Sequence, residues 1–198
     1  MRMKITVFGF TIATALLCSS VWAQSDPAIL AHDQALWKSV GSRTATYQRP
    51  PASWQQIHDS TSNLVLAFPC QPRRVEQTIK GRHAIAISCN DGTERFVAII
   101  GLDAVHDTSA EGRAAIFAGW DHSSLTAIKQ VAKAAFFPKD RVDYSGFYGR
   151  ETELDLGDSK VYSRGLIVHQ DFCVLSVMVK KNTDASRVEA FFDSLKSA

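Results

Sequence analysis

What this chain has least of is charge of one sign. Its 22 Lys and Arg stand against 20 Asp and Glu, and Arg2 and Lys4 alone account for the excess. Without those two the formal charge is zero, so no electrostatic case remains for nucleic acid or an anionic membrane surface as partner. Long apolar runs are scarce as well. "ITVFGFTIATALLC" is shorter than the roughly 20 residues a membrane-spanning helix needs, and no later run is long enough to span a bilayer. Catalytic motifs are absent: there is no HExxH, no Cys-Cys-His zinc spacing, no Gly-x-Ser-x-Gly elbow, no P-loop and no dinucleotide fingerprint. Internal repeats and low-complexity tracts are missing too.

The 6 histidines do not fill that gap. His32, His58 and His106 each precede an Asp, and adjacent residues do not face one another on a regular helix or strand. With His83, His122 and His169 they are read as surface or satisfied side chains. The expectation is therefore no enzyme, no metal and no cofactor. A hydrolase built on one histidine and nearby carboxylates is the minor rival.

What is present begins with a basic, apolar, small-residue order: Arg2 and Lys4, the apolar run, then "SSVWAQ". That is the layout of a secretory signal peptide. Val21 and Ala23 hold the small-residue positions, so cleavage is expected after Ala23 (residues 1–23), with export to the periplasm and no stable membrane insertion afterwards. Cys18 follows Leu17, where a lipid-attachment signal wants a small residue.

Residues 24–53 read as an N-terminal helix and linker. "SDPAILAHDQALWKSVG" has Ser25 or Asp26 to cap it, Pro27 for its first turn and Gly41 to stop it. Packing back on the domain and docking elsewhere are both open to it. "SRTATYQRPPAS" reads as a polar joint. The main domain, 54–198, gives strands at "NLVLAF", "RVEQTI", "HAIAISC" and "RFVAIIGL", with "KGR" and "NDGT" as turns. A helical region from about Ser109 to Phe136 is expected to break near Gly119, Asp121 and Ser123, poor helix formers that cap well. "FFPKDRVDYSGFYG" reads as a connection with room for a short strand. Strands "RETELDL", "VYSRGLIVHQ" and "FCVLSVMVKK" are joined tightly enough to be antiparallel neighbours. A last helix, capped by Thr183 or Asp184, places Val188, Phe191, Phe192 and Leu195 on one face. The order predicts an α+β domain around a mostly antiparallel sheet flanked by helices.

In "LVLAFPCQPRR" a cysteine sits between two prolines that end a strand. After cleavage Cys70, Cys89 and Cys173 remain, and an oxidising compartment favours one pair. If "KGR" closes the hairpin with residue 79 facing 83, Cys89 lies opposite residue 73, next to the Pro69–Pro72 corner. A Cys70–Cys89 disulfide is predicted, stapling that corner to the hairpin. Cys173 is left as a small buried hydrophobe, with a reactive or intermolecular thiol and pairing with one of the other two cysteines as the alternatives.

Three surface features compete as docking sites. Arg73, Arg74, Lys80 and Arg82 crowd the first hairpin as a candidate partner-binding patch. Tyr144, Phe147 and Tyr148, interleaved with Gly146 and Gly149, form a candidate binding-loop platform. Glu151, Glu153 and Asp155, with Asp158 nearby, alternate along a strand and so share one face, a candidate site for a cation or a basic partner.

"LVLAFPCQP", "SGFYGRETEL", "VYSRGLIV", "VLSVMV" and the terminal "AFFDSL" together resemble small exported bacterial proteins with a PsbP-like (DcrB-like) domain. The resemblance spans about Asn63 to Leu195 and rests on core and turn positions, so no functional residue is carried over. It implies an α/β/α sandwich and a non-catalytic module that docks on proteins. The expected function is binding of another protein, a secreted toxin or an envelope component; an immunity protein that neutralises a toxin is the specific form. The alternative is a periplasmic binder of a small ligand or metal ion.

Overall fold

Apolar residues at alternate positions underlie the longer strands of the chain. The computed structural model describes residues 26–79, 82–129, 131, 133–181 and 186–198. The expected signal peptide, the Lys80-Gly81 part of the first hairpin turn and the expected Thr183 or Asp184 cap lie outside these residues. In chain order come α1 (Pro27–Trp37), β1 (Ser42–Ala45), β2 (Gln55–Asp59), β3 (Leu64–Phe68), β4 (Arg73–Ile79), β5 (Arg82–Asn90) and β6 (Glu94–Gly101). Then follow α2 (Ala110–Ile128), β7 (Ala135–Tyr144), β8 (Phe147–Asp155), β9 (Ser159–Val168), β10 (Asp171–Lys180), α3 (Ser186–Phe192) and β11 (Lys196–Ser197).

An 8-stranded sheet runs in the order β1-β7-β8-β9-β10-β6-β5-β4, and a 3-stranded sheet in the order β11-β3-β2. The β1–β7 pair is parallel, and the other pairs are antiparallel. α1 and α2 cover one face of the large sheet, where Phe117 and Trp120 pack on Phe172, Val174 and Ile167. The other face carries α3 and the small sheet. There Leu64, Leu66 and Phe68 of β3 meet Ile85, Ile87, Phe96, Leu175 and Phe191 in the main core. The fold is the expected α+β arrangement, a mostly antiparallel sheet with helices on both sides.

Several local expectations are corrected. The polar joint after α1 contains β1, which adds to the sheet edge beside β7. "QQIHD" forms β2, which the sequence reading passed over. "FFPKDRVDY", expected to hold at most a short strand, supplies most of the 10-residue β7. Its register shifts between Pro138 and Asp140, and β1 pairs only with residues 141–144. Pro138 thus lies beyond the stretch that β1 covers, at an edge bulge, where a missing N–H costs little.

α2 is unbroken across Gly119, Asp121 and Ser123. Asp121 is buried and its carboxylate is taken by Arg150 and Trp37, so it cannot compete for the backbone as a cap. Ser124 Oγ donates to the Trp120 carbonyl at 3.0 Å, which satisfies it within the helix.

α1 packs against α2 rather than standing off as an arm, and its buried residues are Asp33 and Trp37. Asp26 caps it, accepting from the Ala28 N–H at 2.8 Å.

The first hairpin is shifted by one residue from the expected register. Ile79 pairs with Arg82 and Arg73 with Ser88, so Cys89 falls opposite position 72. The Cys70–Cys89 disulfide forms nonetheless, with Cα atoms 5.7 Å apart. Cys173 is buried and free, and burial pushes its thiol pKa far up.

Candidate functional site

A cleft of about 740 Å³ lies at one end of the large sheet. Its floor is the β7–β8 hairpin. Ser145 and Gly146 join the strands with φ of 51° and 87°, the doubly left-handed backbone of a type I′ turn. Asp143 holds the turn by accepting from the Gly146 N–H at 3.0 Å. Ser145 N–H donates to the Ala45 carbonyl of β1 at 3.0 Å. The tip is thereby fixed to two strands.

Of the flanking aromatic residues, Tyr144 and Phe147 oppose one another in the β7–β8 register and so share a face, and Tyr148 lies on the other. Tyr144 points into the main core, 1% exposed, and its hydroxyl lies 2.9 and 2.7 Å from the Asp193 and Leu195 carbonyls. It belongs to the scaffold and is no part of an exposed platform. Phe147 and Tyr148 are half-buried and do line the cleft. Phe147 stands edge-on to the His169 ring at 5.6 Å. Tyr148 meets Phe117 at 5.3 Å, and the Arg113 guanidinium lies 5.7 Å from its ring centroid.

Arg113, from the first turns of α2, and Arg141, from β7, complete the charged wall with Asp143. Arg113 donates to the Thr108 carbonyl. Arg141 donates to the Val40 and Trp37 carbonyls at the end of α1. These guanidinium groups fix the cleft wall without meeting a carboxylate in an ion pair among the described residues.

A buried arginine lies on either side of the sheet beneath the cleft. Arg150, 5% exposed, points to the helical layer. It donates to Asp33 at 2.8 and 3.0 Å and to Asp121 at 2.8 Å. Its guanidinium lies 4.7 Å from the Trp37 ring centroid and 5.0 Å from that of Phe117. Arg164, fully buried, faces the opposite way between Tyr144 and Phe192. It donates to Glu151 at 2.6 Å and to Asp193 at 2.7 Å. Buried charges persist only when paired and hydrogen-bonded in this manner.

The acidic strand is therefore not a free face. Glu151 and Glu153 do share one side of β8, but Glu151 is held by Arg164 and Arg43. Glu153 is held by Lys139 at 2.8 Å and Lys160 at 2.7 Å. Burial would raise the Glu153 pKa, yet the two lysines outweigh it and keep it below the usual range. Asp155 accepts from the Gly157 N–H and pairs with Lys181 at 3.3 Å. With its cations already supplied, this strand loses its basis as a site for an external one. Among the described residues no His, Cys, Asp and Glu set gathers as a metal site would need.

The basic hairpin is divided too. Arg73 is exposed. Arg74 is committed to the buried Asp59 at 2.6 Å and to Glu76 at 2.6 Å. Lys80 and the side chain of Arg82 lie outside the described residues. Phe147 and Tyr148 were legible in the sequence as a loop pair. Arg113, Arg141, Asp143 and His169 were not singled out as site residues, because only the folded sheet brings them together. The Ser-Gly dipeptide between two aromatic residues was the available signal for a turn there.

No family model matches the chain, and no curated protein matches it in sequence. Among solved structures it is similar to cyanobacterial PsbP (CyanoP) from Synechocystis sp. PCC 6803, with a TM-score of 0.49 and 12% identity over 75% of this chain and 94% of that one. It is also similar to a Pseudomonas aeruginosa protein of unknown function, with a TM-score of 0.34 and 8% identity over 65% of this chain and 83% of that one. At such identities no residue's role passes from one chain to another.

Proposed function

We propose that this chain is an exported, non-enzymatic module of the periplasm that binds another protein, and that the partner docks in the cleft beside the β7–β8 turn. One observation carries the reading: Phe147 and Tyr148 stand half-buried on a fixed turn, next to Arg113 and Arg141, which donate to carbonyls and close no ion pair with a carboxylate among the described residues. Aromatic residues and arginine are the side chains protein interfaces use as anchors, and loops on a rigid sheet are common recognition elements. The leader-like start and the Cys70–Cys89 bond support an oxidising compartment.

The specific form proposed is an immunity protein that occludes the working site of a secreted bacterial toxin. The lack of any catalytic motif and the parity of charge after the leader support it.

The test is genetic and chemical together. Deleting the gene is expected to leave cells sensitive to their toxin-producing sisters. The pair Arg113→Glu and Tyr148→Ala should reproduce that sensitivity while the purified variant keeps its melting temperature. A photoreactive residue at position 147 should cross-link one protein in living cells. Full resistance of the deletion strain, with no cross-linked product, would sink the proposal.

A further inference from the structure

We propose that two copies of this chain pair edge to edge through β4, antiparallel, about a two-fold axis at Val75. β4 is the last strand of the large sheet and 7 residues long. Its outer edge has no strand partner among the described residues, and such an edge is a template for another strand. Val75, near its middle, is 46% exposed; Phe137 is the other exposed large hydrophobic side chain among the described residues.

Register decides whether the pairing is feasible. Residues opposite each other in an antiparallel pair point to the same face, so two copies of one strand must be centred on a residue. Centring on Val75 sets Val75 against Val75 of the second copy, Arg74 against Glu76 on both sides of the axis, and Arg73 against Gln77. Centring on Arg74 opposes arginine to arginine, and centring on Glu76 opposes glutamate to glutamate. A shift to Gln77 opposes Arg74 to Lys80. Only the Val75 register is free of opposed like charges while pairing opposite ones.

The monomer already holds the required groups in place. Arg74 Nε stays on Asp59 at 2.6 Å while a terminal nitrogen contacts Glu76 at 2.6 Å. Glu76 keeps a side chain 60% exposed. Pairing exchanges that contact within one strand for the same contact across the axis.

The decisive experiment is sedimentation velocity on the purified chain over a concentration series. A monomer–dimer equilibrium is expected, weakened about tenfold or more by Val75→Lys or by Glu76→Arg, since each places charge against the axis or like charge on both sides of it. Mixing Glu76→Arg chains with Arg74→Glu chains should restore a dimer, because each pairs only with the other. Arg74→Glu also removes the partner of Asp59 and can unfold the chain, so a second readout is needed. Under mild oxidation Val75→Cys should give a disulfide-linked dimer. Gln77→Cys should not, because its counterpart sits about four residues along, roughly 13 Å away. A monomer at every concentration, equal cross-linking at 75 and 77, or a dimer that survives both charge variants would overturn the pairing. The last result would assign the dimer to another surface.

Discussion

Asp121 is the residue whose protonation matters most to the helical layer. Burial is the chief cause of its raised pKa; Arg150 offsets that in part, and neighbouring Asp33 raises it further. Oδ1 of Asp121 is buried and has no hydrogen-bond partner among the described residues, so ionising this carboxyl leaves a charge-bearing oxygen without a donor. Two carboxyl groups thus share one guanidinium, and burial disfavours the charged form of Asp121. A carboxyl whose folded pKa lies above its unfolded value stabilises fully below the unfolded value, and this contribution is lost as pH rises through the folded one. The melting temperature of the wild type should therefore fall as pH rises above the ordinary carboxylate range. Asp121→Asn, which keeps the shape and removes the charge, should flatten that limb. Equal slopes for the two proteins in a pH series of thermal melts would refute this. The low-pH side behaves oppositely. Burial works against the ionised form of Asp59, but hydrogen bonds from Ser62 and Arg74 prevail and hold its pKa below the usual range. Its contribution is present above the unfolded value and lost as pH falls.

Among the elements, what the sequence revealed and what it hid divide along locality. β3 to β6 and β8 to β10 were legible because their apolar alternation and turn residues lie within a few positions of each other. β1 and β2, "SRTA" and "QQIHD", are short and polar. They are strands only because β7 and β3 offer them an edge. The unbroken α2 has the same cause: Asp121 is satisfied by Trp37, 84 positions away, and by Arg150, 29 positions away. The site was half visible for that reason, its aromatic turn local and its arginine wall assembled by folding. Gly149 in β8 makes the point testable. A Cβ there would meet Leu166 Cδ2 at 2.5 Å and the Gly165 carbonyl oxygen at 2.7 Å on neighbouring β9. The leucine can turn aside, but the backbone oxygen cannot. Gly149→Ala should thus cost about 1–3 kcal/mol by overpacking, read as a lower urea midpoint with unchanged slope. A neutral result would mean that β8 and β9 separate freely at this pair.

For the molecule as a whole, the disulfide anchors the end of the large sheet that carries the β4 edge and lies away from the cleft. Cys70 lies in the corner between β3, which belongs to the small sheet, and β4, the outer edge of the large one. Cys89 lies in β5, against the same core as Phe68 and Phe96. The bond closes a loop with a sequence separation of 19. In the chain-entropy model such a loop stabilises by ~3 kcal/mol, because the crosslink restricts the unfolded chain more than the folded one. For a chain of this length that corresponds to a fall of roughly 6–12 °C in Tm on removal. Replacing both Cys70 and Cys89 by Ser should produce this drop and the same drop should appear on reducing the wild type, with no further change when the double variant is treated with reductant. The cleft lies at the opposite end of the sheet order, built on β1, β7 and β8, so cross-linking from position 147 should persist at temperatures where the double variant remains folded. The edge at β4 begins at the corner that the bond anchors, and its pairing should weaken in the same variant. If reduction left Tm unchanged, the corner would be held by packing alone and the bond would have no stabilising role. If instead the 147 cross-link failed while the β4 dimer endured, the two ends of the sheet would be coupled in a way their separation in the strand order does not allow.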